Sequence, residues 1–201
     1  MKATLHKAHR ELTRNHDTIL ILGDGQSMPE DLKTFINWNI PHDAGALGRA
    51  VREYPHGIVN HWFNADGDLS IQWAKSLPCD TLRHTMGEVE GFDVDWDLDQ
   101  PHYNHDIITN ERPGSRMHGS SALFATLASL AMGYTRIVLA GCPLDTEGHY
   151  YFQQSKETLG PIWLGWDFMA WIDFAEMEEA QQVRSMSGYT AKILGKPTKE
   201  W

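Results

Sequence analysis

Cysteine is scarce in this chain, no hydrophobic run is long, and no excess of positive charge is present. The two cysteines, Cys79 and Cys142, lie far apart and match no metal-binding or CxxC spacing, so we expect free thiols in a reducing compartment. The longest run of apolar and small residues, 122–132, is about half of the ~20 residues that a membrane span needs. The first residues are polar and lack the apolar centre of a signal peptide. These features predict a cytoplasmic protein with no membrane span.

Acidic residues outnumber basic ones, 27 to 17, which gives a formal net charge of -10. A surface that coats nucleic acid or binds anionic membranes needs the opposite excess, so neither partner is expected, although a local basic patch can still bind one nucleotide. The length of 201 residues suits one domain with a sizeable core. Because no repeat or linker divides the chain, we treat residues 1–201 as a single domain.

The most informative stretch is a helix followed by a strand, within residues 118–145. Ser120 and Ser121 are good helix-capping residues, and Gly133 suits the left-handed conformation that ends helices. The apolar run 137–140 is typical of a parallel strand covered on both faces. Ligands of open α/β sheets bind beyond the carboxyl ends of strands, and anions favour helix N-termini. This stretch therefore predicts a pocket where the helix begins and the strand ends.

The rest of the chain repeats a strand-and-turn pattern. Strands are predicted over residues 18–22, 43–47, 58–63, 81–86 and 183–186, and helices over residues 4–16, 49–54, 70–76 and 190–194. Several of these strands end in turns that contain glycine or aspartate, and such turns should meet at one edge of a sheet. We therefore predict an α/β fold, a Rossmann-like three-layer sandwich with a mostly parallel central sheet.

The turn after the first predicted strand is the residue run 23–27, GDGQS. Ser27 and Glu30 match a capping box for the helix that follows. Met28 stands where G-x-G-x-x-G has its third glycine, and the Gly-Lys-Ser/Thr of a P-loop is missing. The turn is therefore interpreted either as a phosphate contact or as an ordinary strand-to-helix turn.

Residues 87–106 contain seven acidic residues that alternate in part with apolar ones. D-x-D spacing suits enzymes that hold a nucleotide-sugar diphosphate through Mn²⁺ or Mg²⁺. The alternative is an edge strand with its acids in water and its apolar residues packed inward. The alternation already explains the acids, so we favour the edge strand and expect no divalent metal. His102 and His105 have no third ligand at a diagnostic spacing.

Three further segments each allow two interpretations. Arg112, Arg116 and His118, just before the central helix, form either a seat for phosphate or a solvated loop. Residues 149–151, HYY, form either a lid over a ligand or a cover for the sheet edge. Residues 162–182 carry more large apolar side chains than one core-facing stripe needs, so this helix either binds a second subunit in a homo-oligomer or is a large core helix.

The chain resembles a known group of proteins in five motifs and in their order along the chain. These motifs are ILGDGQS, HDAGALGRAV, HWFNADGD, GSSALFATLASLAMGYTRIVLAGCPLD and VRSMSGYTAKILG. This Rossmann-like group includes bacterial CMP-sialic-acid sialyltransferases, proteins related to archaeal 6-hydroxymethylpterin pyrophosphokinase, and many small members from tailed phages. The resemblance implies that CMP, another nucleotide or a nucleotide sugar is contacted by Gly23, Gly25, Gln26, Ser27, Gly48, Arg49, Ser120 and Ser121. The candidate set also includes residues next to these positions, and Tyr150 as the candidate phosphate-binding tyrosine. The neighbouring residues are Asp24, Asp66, Arg116, His118 and Gly119.

The resemblance also implies a general base that takes the proton of the acceptor hydroxyl. In such sialyltransferases a histidine further downstream has this role, but no histidine follows His149 here, so His149 and Asp145 are the candidate catalytic residues. Two alternatives remain open. One is a non-catalytic, phage-type binding or assembly module of the same fold. The other is pyrophosphoryl transfer to a pterin-like alcohol, which requires metal-binding acids such as Asp66, Asp95 or Asp97.

Overall fold

The computed structural model describes residues 1–65, 77–99, 120–145 and 161–201. Its strands are β1 (Lys2–Ala8), β2 (Thr18–Leu22), β3 (Asp43–Leu47), β4 (His61–Asn64), β5 (Leu82–Met86), β6 (Val94–Asp99), β7 (Arg136–Ala140) and β8 (Val183–Ser185). Its α-helices are α1 (Met28–Asn37), α2 (Ser121–Ala131), α3 (Pro161–Ala175) and α4 (Gly188–Leu194), with 3₁₀ turns at Gly48–Arg52 and Glu178–Gln182. The predicted helix over residues 70–76 lies outside the described residues.

The strands form one eight-stranded sheet in the order β1-β6-β5-β4-β3-β2-β7-β8. The β1–β6 pair is antiparallel, and every other neighbouring pair is parallel. The prediction of an α/β protein with a mostly parallel sheet is therefore confirmed. No described helix is long and apolar enough to cross a membrane.

Alternate side chains of the central strands pack into two separate cores, as expected for a sheet covered on both faces. Ile19 and Ile21 of β2 pack on the side of α2, whereas Leu20 and Leu22 pack on the side of α1. All four are 0% exposed, which explains why β2 is an unbroken apolar run in the sequence. The sheet therefore has helices on both faces.

The expectation of a polar helix over residues 4–16 is wrong, because residues 2–8 form an edge strand. Only Ala3 of β1 is buried, so the strand has no apolar alternation to reveal it. It is held by its backbone pairing with β6 and by charged contacts. His6 Nδ1 lies 3.1 Å from Asp97 Oδ2, and Lys7 Nζ lies 2.8 Å from Glu88 Oε1.

The acidic segment does form a strand, β6, but the expectation of an edge strand with solvated acids is only partly met. β1 covers the outer edge of β6. The carboxylate of Asp97 is exposed, whereas Asp95 is only 1% exposed. The interleaved Val94 and Trp96 are buried on the α2 side, as predicted.

The aromatic segment near the C-terminus forms α3 and then a 3₁₀ turn. Trp171 and Phe174 are 0% exposed and belong to the core, whereas Met169 is 54% exposed. These residues fit the interpretation of a core helix, and homo-oligomer formation through residues 162–182 stays a prediction. Both cysteines are free, Cys79 exposed and Cys142 buried.

Candidate functional site

The strand order reverses between β2 and β7. The chain leaves β2 toward β3 on one side, and it leaves β7 toward β8 on the other side. In open α/β sheets the crevice beyond the carboxyl ends of two such strands is the usual ligand-binding position. The turns that follow β2 and β7 are residues 23–27 and 141–145, so both candidate segments lie at this edge.

These two turns pack directly against each other. The amide of Gly23 donates to the carbonyl of Ala140 (2.8 Å), and the amide of Gly25 donates to the carbonyl of Gly141 (2.9 Å). A Cβ atom on Gly23 would lie 2.6 Å from the Sγ of Cys142, and one on Gly25 would lie 2.5 Å from the Cδ of Pro143. Both glycines are therefore required by contact between two loops, whether or not a phosphate also approaches this turn.

The carboxylate of Asp31 joins three segments of this edge. Its Oδ2 accepts hydrogen bonds from the amide of Gly141 (3.0 Å), the hydroxyl of Ser27 (3.0 Å) and the hydroxyl of Ser187 (2.6 Å). Asp31 is only 7% exposed. The predicted capping box is wrong, because the side chain of Ser27 makes no capping bond and contacts Asp31 instead. The sequence signal for Asp31 was an acidic residue on the apolar face of α1.

The turn after β3 has a different geometry. Gly48 has φ +44°, a left-handed conformation that favours glycine, and a Cβ placed there would have no atom of the described residues within 4 Å. Its carbonyl accepts a hydrogen bond from Trp62 Nε1 (2.8 Å). Arg49 follows at the start of the 3₁₀ turn and is half-buried. Open space therefore adjoins the backbone at Gly48.

The N-terminus of α2 reaches the same edge of the sheet. The amides that follow α2, at Thr135 and Arg136, bond the carbonyl of Asp17 at the opposite, amino edge (3.1 and 3.2 Å). From there α2 extends for 11 residues, about 16 Å, which equals the length of the five-residue β7. The side chain of Ser120, the N-cap residue, makes no capping hydrogen bond. From this length, and with α2 antiparallel to β7, we infer that Ser120 and Ser121 lie at the level where β2 and β3 end.

The other candidate residues are divided between the described and the undescribed parts of the chain. Asp145 is described and half-buried in the turn that follows β7. Six candidates lie outside the described residues: Asp66, Arg116, His118, Gly119, His149 and Tyr150. The described candidates thus belong to three turns and one helix start, which we assign to the carboxyl edge.

A buried chain of hydrogen bonds, which sequence reasoning missed, crosses the sheet on the α2 side. Trp96 Nε1 donates to His84 Nδ1 (3.1 Å), because an indole nitrogen can only donate. This fixes both tautomers: His84 Nε2 donates to His61 Nδ1 (3.0 Å), and His61 Nε2 donates to the hydroxyl of Tyr134 (2.9 Å). That hydroxyl donates to Asp43 Oδ2 (2.8 Å). We call these five residues the buried relay.

The buried relay keeps both imidazoles neutral. Burial lowers the pKa of His61 to about 4, against the opposing effects of Asp43 and of a hydrogen bond to the Thr13 backbone. Burial, together with the neighbouring His61, holds the pKa of His84 well below its usual value. Burial alone would raise the pKa of Asp43, but hydrogen bonds from Tyr134 and Asn15 outweigh it and lower that pKa. His61 and His84 are 0% exposed, so both imidazoles are enclosed in the core and do not line the surface of the protein.

Among the described residues, no group of three or more His, Cys, Asp or Glu side chains is arranged to hold a metal ion. Comparison with known proteins finds no matching family model, no similar curated protein and no similar solved structure. The resemblance to the sialyltransferase-containing group therefore stays a prediction, and the functional interpretation starts from the geometry of this chain.

Proposed function

We propose that this chain is a Rossmann-like protein that binds a nucleotide or nucleotide sugar at the carboxyl edge of β2, β3 and β7. The proposal is supported by the N-terminus of α2, which we infer from the length of this helix to lie at this edge, and by the Ser120 side chain, which makes no capping hydrogen bond. Backbone amides in the first turn of a helix have no partner within the helix, and they favour phosphate. The resemblance to the sialyltransferase-containing group supports the same type of ligand.

The open backbone at Gly48 supports a second contact in the same site. No described atom lies within 4 Å of a Cβ placed there, so a ligand phosphate or sugar can approach the main chain. Gly23 and Gly25 contribute less, because Cys142 and Pro143 already occupy the space beside them. In that turn the exposed Gln26 and the half-buried Asp24 are the side chains that would contact the nucleotide.

The activity that we propose is glycosyltransferase-like transfer from the nucleotide sugar. Amides at the start of α2 would stabilise the negative charge that develops on the departing nucleotide. Asp145 or His149 would accept the proton of the acceptor hydroxyl. A non-catalytic module of the same fold is the outcome to be distinguished from it.

Nucleotide binding is tested by thermal shift with CMP, UDP, GDP, ATP and CMP-sialic acid. At a ligand concentration of a hundred times Kd, binding adds about 2.7 kcal/mol to the free energy of unfolding. We expect Ser121→Ala to weaken the affinity for the best ligand about tenfold, because a hydrogen bond to a charged group contributes about 1.5 kcal/mol.

The matched control is Ser129→Ala, about 12 Å further along the same helix. The Ser129 hydroxyl is buried and makes no hydrogen bond within the described part of the chain, so its loss should leave the affinity unchanged. A nucleotide that binds equally well to wild type and to Ser121→Ala would place the site elsewhere. If no nucleotide raises the melting temperature, the non-catalytic module is the better description.

A further inference from the structure

The two serines that contact Asp31 form a closed group with its carboxylate. Ser27 and Ser187 each place a hydroxyl within hydrogen-bond distance of Asp31 Oδ2, at 3.0 and 2.6 Å. The two hydroxyl oxygens also lie only 2.7 Å from each other, although the serines are 160 positions apart in the chain. We call these three residues the serine–aspartate group. It lies at the carboxyl edge, where α1 and α4 begin.

The serine–aspartate group contains more short contacts than protons. Each serine hydroxyl carries one proton and an ionised carboxylate carries none, so two protons serve three contacts between oxygen atoms. If either serine turned its proton toward a ligand, two of the three contacts would bring oxygen atoms together with no proton between them. Both protons are therefore held within the group, which presents to a ligand only oxygen lone pairs beside a negative charge.

The two serines retain surface that a ligand can contact, whereas the carboxylate is enclosed. Ser27 and Ser187 are half-buried, and Asp31 is only 7% exposed. The same Oδ2 atom of Asp31 accepts a hydrogen bond from the buried amide of Gly141 (3.0 Å), which fixes its position. A ligand at this place therefore meets the hydroxyl oxygens of the serines, with the charge of Asp31 behind them.

The start of α1 offers few backbone amides to a phosphate. Met28 donates its amide to the carbonyl of Gly25 (3.0 Å), and Pro29 has no amide hydrogen. Glu30 and Asp31 already place negative charge in the first turn of this helix. The amides of both glycines in the preceding turn donate to carbonyls at the end of β7 and just after it. The segment that commonly holds phosphate in nucleotide-binding folds is therefore engaged here by the protein itself.

The start of α2 has the opposite character. Its first turn contains no acidic residue, and its N-cap side chain makes no hydrogen bond to the helix. α1 packs on the Leu20 face of the sheet and α2 on the Ile21 face. Gly48, with its open backbone, follows β3, the strand next to β2. A ligand that contacts both helix starts therefore crosses the carboxyl edge of the sheet.

We propose that the serine–aspartate group binds a neutral hydrogen-bond donor of the nucleoside, a sugar hydroxyl or a base N–H group, and that the phosphate groups lie toward Gly48 and the start of α2. Acceptor oxygens beside a carboxylate attract such a donor and repel phosphate. This repulsion sets the orientation of the nucleotide. The inference rests on the proposed nucleotide-binding function and adds the direction in which the nucleotide lies.

The test compares cytidine, uridine, guanosine and adenosine, each with its own monophosphate, by isothermal titration calorimetry on the full chain. We expect Ser27→Ala to weaken a nucleoside and its monophosphate by the same factor, about fivefold, because a hydrogen bond to the nucleoside is lost and none to the phosphate. The 2′-deoxy and 3′-deoxy forms of the best monophosphate identify the donor. A form that lacks it should bind wild type more weakly than its parent and Ser27→Ala equally well. If neither form does so, the donor is on the base.

A second variant, Asp31→Asn, reverses the polarity of the group. An asparagine oxygen can accept from the Gly141 amide while its amino group donates to a serine, which frees a serine proton for a phosphate. We expect the affinity for the monophosphate, relative to that for the nucleoside, to rise about threefold. Glu30→Gln is the matched control, because Glu30 is exposed and carries the same charge in the same turn. It should change this ratio much less, as expected for a screened surface charge.

The outcomes separate this inference from the proposed function. If Ser27→Ala weakens only the monophosphate and not the nucleoside, Ser27 contacts phosphate, so the orientation is wrong and nucleotide binding stands. If Ser27→Ala changes neither affinity, the serine–aspartate group is not part of the site and the inference is also wrong. If no nucleoside or monophosphate binds wild type, the proposed function is wrong and this inference falls with it. Should Asp31→Asn fail to fold, by circular dichroism, the comparison with Ser27→Ala decides alone.

Discussion

Gly188→Ala will lower the free energy of unfolding by about 2–5 kcal/mol, whereas Gly87→Ala will lower it by only about 1–2 kcal/mol. Both glycines have left-handed backbones, with φ +70° at Gly188 and φ +73° at Gly87. A Cβ on Gly188 would overlap the backbone of Pro143, whereas one on Gly87 would have no atom within 4 Å in the part of the chain that the structure describes. The strain of a left-handed backbone is common to both variants. The difference between their free energies of unfolding therefore measures how tightly the turn after β7 packs against the start of α4.

Urea denaturation followed by far-UV circular dichroism measures this difference. The amide of Tyr189 donates to the carbonyl of Pro143 (2.7 Å), and the neighbouring Ser187 donates to Asp31 (2.6 Å). Displacement of Gly188 would disturb both contacts, which adds to the expected loss. Equal destabilisation in the two variants would show that the turn after β7 can move away at little cost, and that the carboxyl edge is less rigid than its contacts indicate.

Acidification from pH 7.5 to pH 4.5 will lower the free energy of unfolding by about 2–3 kcal/mol through His61 alone. The pKa of His61 is about 4 in the folded protein and 6.5 in the unfolded chain, so the unfolded state binds more protons between these values. Stability is therefore full above pH 6.5 and is lost as the pH falls toward 4. His84 and His42, whose pKa values are also lowered mainly by burial, act in the same direction.

The carboxylate of Asp43 does not contribute to the loss of stability between pH 6.5 and pH 4. Its pKa is lowered below 3.8, so the stability that it contributes is lost only at more acidic pH. Urea unfolding at a series of pH values measures the loss, and NMR titration of the histidine rings identifies the residues. A free energy of unfolding that stays constant from pH 6.5 to 4.5 would contradict the neutral buried relay.

The elements that could be predicted from the sequence are those whose burial is complete. β2 and β7 are covered on both faces, so each is a continuous apolar run that differs visibly from its surroundings. The same holds for α2, where Ala122–Ser129 are all buried. The strand expected over residues 58–63 is present, but it spans His61–Asn64. Residues 58–60 lead the chain into the sheet and are not part of the strand.

The sequence predicted where the candidate site lies, but it did not predict which contacts most of its residues make. Glycine turns and a serine-started helix are local signals, and the parallel sheet brings the ends of its strands to one edge. What each residue does there depends on the neighbouring loop. Gly25 packs against Pro143, and Ser27 bonds to Asp31. Neither contact has a signature in the residues around it.

The amino-acid sequence by itself determined the α/β class, the parallel strands and the helix between residues 121 and 131, because apolar periodicity and turn residues act over a few positions. Only the tertiary structure decided the pairing of β1 with β6, the histidine tautomers of the buried relay and the burial of Asp95. These features join strands far apart in the chain. The energy of a buried polar group depends on the partners that folding brings to it, and not on its neighbours in sequence.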